Sequence, residues 1–72
     1  MTERDRSELL GRIADLSRAC PEMRIGQLIA SLSVVARGTD SNAIWEMEDE
    51  ELLAAVIWQH NELQKRRGIE VA

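Results

Sequence analysis

Between Arg24 and Arg37 lie twelve residues without one charged side chain, in a chain where 31% of residues are charged. Few folds accommodate such a stretch. Ile25, Leu28, Ile29, Leu32, Val35 and Ala36 recur at the spacing of one helix face. Gly26, Ala30 and Ser33 form a second line of small residues that another backbone can approach closely. Only Arg24, Gln27 and Ser31 leave a polar stripe, and it is narrow. A helix apolar over most of its circumference is expected to be covered on more than one side. The sequence therefore places this helix at the centre of a small bundle.

Size limits what can surround it. Seventy-two residues make one domain, 1–72. A chain of this length buries only about 60% of its unfolded surface, so it leans on disulfides, a metal, regular helix packing or oligomerisation. Cys20 is the only cysteine and His60 the only histidine. A disulfide within the chain is excluded, a zinc site of Cys and His is not expected, and no cofactor is called for. Helix packing and self-association remain.

Charge narrows the partners. The net charge of −4 argues against phosphate backbones, so nucleic acid is not an expected partner. The uncharged runs 25–36 and 52–61 are too short to span a membrane. The start, MTERDRSELLGR, alternates charges and lacks the apolar stretch of a secretory leader. A cytoplasmic protein with a reduced thiol is the expectation.

The fold class expected is all-α, a three-helix bundle with helices roughly at 3–19, 22–37 and 48–67 and a structured connection at 38–47. In the first helix Leu9, Ile13, Leu16 and Cys20 step by four, three and four, while Arg4/Glu8, Glu8/Arg12 and Asp15/Arg18 pair on the opposite face. Pro21 ends this helix and is expected in the first turn of the next, with Glu22 near its positive end. The joint is short, which predicts antiparallel packing of helices one and two. Gly38 marks the stop after Arg37, and Thr39 to Asn42 is turn chemistry. Ile44, Trp45 and Met47 are expected to pin the connection onto the bundle. The third helix opens on acids and closes on Lys65, Arg66, Arg67 and Gly68, as the helix dipole favours, with a frayed tail after it.

Three groups of side chains are candidate sites. Residues 52–58 are seven apolar side chains in a row, more than one bundle face can bury, so Ala54, Ala55 and Trp58 are candidates for an interface with a second copy. Glu46, Glu48, Asp49, Glu50 and Glu51 form an acidic segment, read first as a helix start and second as a docking patch for a basic partner. Arg24 and Gln27 are candidates for fixing the 38–51 connection over the core, and Gly26 beside them suggests a close approach of another element.

Other chemistry fits poorly. A calcium loop starting at Asp40 puts Ile44 and Trp45 where a ligand and the glycine turn are required. His60 and Cys20 have no neighbouring motif to make them catalytic. A helix-turn-helix reader would have to present its most apolar helix to base edges.

The run Pro21-Glu22-Met23-Arg24-Ile25-Gly26-Gln27-Leu28-Ile29, followed by Ile44-Trp45-Glu46-Met47-Glu48-Asp49-Glu50-Glu51-Leu52-Leu53, resembles a pattern in an uncharacterised family of small bacterial proteins. There an arginine-glycine-glutamine-leucine helix precedes an aromatic, an apolar-acidic stretch and two leucines. Ile44-Trp45 stands here where that pattern has paired aromatics. The resemblance implies an all-helical protein of undetermined role and brings no site residues with it.

The leading functional expectation is a non-catalytic protein-interaction module that forms a homodimer through its third helix. An antitoxin- or immunity-like protein, neutralising a basic partner through residues 46–51, is the alternative. A metal-dependent enzyme or accessory subunit ranks last.

Overall fold

The computed structural model describes the backbone of residues 2–71 and the side chains of residues 2–66. It is all-α, with no strand among the described residues. The helices are α1 (Glu3–Ala19), α2 (Ile25–Arg37), α3 (Ala43–Glu46) and α4 (Asp49–Val71).

Local chemistry sets most of the boundaries. Thr2 and Asp5 form a reciprocal capping box: the Asp5 N–H donates to Thr2 Oγ1 at 3.1 Å, and the Thr2 N–H donates to Asp5 Oδ2 at 3.2 Å. Hydrogen bonding to the Asp5 carboxylate from the Thr2 hydroxyl and the Thr2 N–H holds that carboxyl below its ordinary value. At the other end of α1, the Cys20 N–H reaches back to the carbonyls of Leu16 and Ser17.

The second helix starts at residue 25 rather than 22. The Met23 N–H closes a turn onto the Cys20 carbonyl at 3.0 Å, so Pro21 and Glu22 lie in that turn and not in the helix. Gly38 ends α2 as expected. Its φ is 77°, a conformation that glycine adopts without strain, and its N–H meets the Val34 carbonyl at 2.7 Å.

Asp40 then bonds the Asn42 N–H through Oδ1 at 3.0 Å, an Asx turn that leads into the single turn of α3. The residue that pins this turn is Ala43, 1% exposed, with Met47 half-buried beside it. The expected anchors Ile44 and Trp45 point outward. Ala43 and Met47 are four apart and share a face, whereas Trp45 follows Ala43 by about 200° around the helix.

The last helix passes through Gly68 to Val71, so the stop expected at Gly68 is not observed. A glycine permits a helix to end but costs only about 1 kcal/mol inside one.

Packing overturns the expected centre. α1 and α2 both pack on α4, α3 packs on α2, and α1 scarcely touches α2. The central helix is α4, not the 25–37 helix, and the predicted antiparallel pairing of helices one and two does not form. α2 buries one face, through Leu28, Leu32 and Ser33, and leaves Ile25, Val34 and Val35 exposed. α4 is apolar around two full turns, so it serves two neighbours at once. The joint at 20–24 is long enough for α1 and α2 to lie on different sides of it.

The core joins Leu9 and Leu16 of α1, Leu28 and Leu32 of α2, and Ala55 and Val56 of α4, with Ile13, Cys20, Met23, Leu52 and Leu63 among the side chains around it. Ser33 is buried with its hydroxyl donating to the Ala30 carbonyl at 2.7 Å, so it is satisfied within its own helix. Gly26 has open space where a Cβ would stand, so no close approach offsets it.

Candidate functional site

Carboxylates of the acidic segment gather the helices at the start of α4. Arg37, the last residue of α2, forks onto Glu51: Nη2 donates to Oε1 at 2.8 Å and Nε to Oε2 at 2.9 Å. Its Nη1 lies 3.9 Å from Glu46 Oε2 at the end of α3. Arg6 of α1 donates to Asp49 Oδ2 from both Nε and Nη2, at 3.3 and 3.1 Å. The Glu48 N–H donates to Glu51 Oε1 at 3.3 Å and closes the start of α4.

The two-pronged bond to Arg37, with the Glu48 N–H behind it, holds the Glu51 carboxyl below its ordinary value of 4.5. The same contact raises the Arg37 guanidinium. Both side chains remain partly in solvent, which screens the pair. The fork is better understood as fixing geometry than as a large source of stability.

This arrangement redistributes the candidate residues. Of the acidic segment, Glu46, Asp49 and Glu51 face arginines of the same chain, and Glu46, Glu48 and Glu50 are exposed to solvent. Arg24 and Gln27 do not reach the 38–51 connection. The Gln27 Oε1 accepts the Arg24 N–H at 2.9 Å, so the pair caps the start of its own helix. That start lies about 20 Å, one thirteen-residue helix, from the connection. The side chain that fixes the connection is Arg37, which charge pattern alone marked only as a favourable helix end. Its partner Glu51 is fourteen residues away, beyond the reach of any periodicity argument.

The candidate interface splits as well. Ala55 is 3% exposed and belongs to the core, so it cannot meet a second copy. Ala54 is exposed, and Trp58, one turn further along the same outer face, is 52% exposed. Trp45 was missed as a surface residue. It is 91% exposed, and the spacing of Ala43 and Met47 was the signal that could have revealed it.

A groove of about 320 Å³ lies along α2, between the 20–23 turn and Gln59 of α4. Met23, Leu28, Leu32 and Val35 line it, with Ser31 and Gln59 as polar groups and Cys20 at one side. Its wall carries no charge. Among the described residues, no three His, Cys, Asp or Glu side chains come together to hold a metal ion, and no helix is long and apolar enough to cross a membrane. His60 is half-buried on α4.

Compared with known protein families, curated proteins and solved structures, the chain matches none.

Proposed function

We propose that this chain is a non-catalytic protein-interaction module that pairs with a second copy through the outer face of α4. The observation that carries this reading is the placement of Trp58. The chain has two tryptophans and neither Phe nor Tyr, and Trp58 stands on α4 outside the core, 52% exposed. Indole is the side chain most often found at the energetic centre of an interface, because it removes a large area from water at little entropic cost.

On the outer face, Ala54 lets a second helix approach and Trp58 offers it apolar area.

Sedimentation equilibrium over a hundredfold concentration range tests the proposal. The wild type is expected to approach the dimer mass, and Trp58→Glu to shift toward monomer with its helical circular dichroism intact. A wild type that stays monomeric throughout, or a folded Trp58→Glu that associates as before, would overturn it.

A further inference from the structure

Ile44 and Trp45 stand out on α3 as an apolar knob. Trp45 is 91% exposed and Ile44 more than half exposed, although the turn beneath them is pinned by Ala43 and Met47. The knob is thus held out by a fixed scaffold. Its backbone is ordered by the Met47 N–H on the Ala43 carbonyl at 2.9 Å and the Glu46 N–H on the Asn42 carbonyl at 3.0 Å. An indole removes about 150–250 Å² from water when it docks, so an indole presented this way is suited to entering another surface.

We propose that this knob docks a basic segment of a partner protein, with an arginine or lysine of that segment laid over the Trp45 ring. Charge complementarity selects the occupant. Residues 40–51 carry six carboxylates and no Lys or Arg. Arg37 and Arg6, with one charge each, face three of them. The knob therefore sits in a field that attracts cations, and the indole face adds its own attraction for them. Nucleic acid and anionic lipid are repelled by the same field. A second copy of this chain, itself at net −4, is a poorer match than a cationic protein surface. This surface is separate from the outer face of α4 and does not depend on pairing there.

The test uses the full chain with Trp58→Phe, so that Trp45 is its sole indole. The probe is a synthetic dodecapeptide of alternating arginine and leucine, with the glutamate–leucine peptide as its counterpart. A saturable blue shift of Trp45 emission is expected with the arginine peptide only, and it should weaken as salt is raised. Binding followed through a label on the peptide should fall by about tenfold or more in Trp45→Ala. Backbone amide shifts should be largest at residues 43–50. Trp45 touches so little of the fold that Trp45→Ala should melt like its parent, and calorimetry checks this.

Equal response to the glutamate peptide, unchanged binding by a folded Trp45→Ala, or amide shifts centred elsewhere would each overturn the proposal. So would a Trp45→Ala whose only defect, seen by sedimentation, is lost self-association, because the knob would then be a contact between copies.

Discussion

Ala54 and Ala55 are adjacent, chemically identical and on the same helix, yet one is exposed and the other sealed in the core. The same division runs along α4. Val56 is fully buried, and Trp58, two residues on, is half in solvent. The apolar run 52–58 is therefore two surfaces wound around one axis. The inner one is already used by α1 and α2, and the outer one, with Ala54 and Trp58, faces solvent. Apolarity marks what can be buried; only the neighbours decide what is.

Placing the same charge on each face gives the largest contrast. Val56→Glu puts a carboxylate at a fully buried site with no partner, a cost of several kcal/mol against about 4–11 kcal/mol for a domain of this length. Its cooperative thermal transition should vanish, while Trp58→Glu keeps one. A Val56→Glu chain that melts like the wild type would erase the distinction between faces.

Volume makes a subtler probe. Ala55→Leu overpacks the core and should destabilise by about 1–3 kcal/mol in urea denaturation. Ala54→Leu should stay within about 0.5 kcal/mol of the wild type, as surface substitutions do. Equal effects at the two alanines would mean that the outer face is already covered within the chain.

The smallest effect concerns how α4 is held at its start. Glu51 titrates below 4.5 when folded, so its contribution is present above that pH and is lost as pH falls from 4.5 toward the depressed folded value. Glu51→Gln should remove this part of the acid limb: its urea midpoint should vary less with pH across that window than the wild-type midpoint. An acid limb that is identical in both proteins would show that the Arg37 fork contributes nothing to folding.

What the sequence determined by itself is whatever depends on residues within one helical turn of one another. The 3–19 helix, with Thr2 and Asp5 bonding across three residues, and the stop at Gly38 are of this kind. So is the all-α class, which needs only helical periodicity in each segment. The start of α2 escaped because the side chain of Gln27 completed the cap and left Pro21 and Glu22 in the turn. Tertiary structure alone decided which helix became central, which face of 52–58 turned inward, that Arg37 rather than Arg24 would fix the connection, and that Trp45 would stand in solvent. Each of these rests on the relative placement of elements joined by turns. A change of a few degrees in such a turn leaves every local pattern intact while it exchanges one neighbour for another.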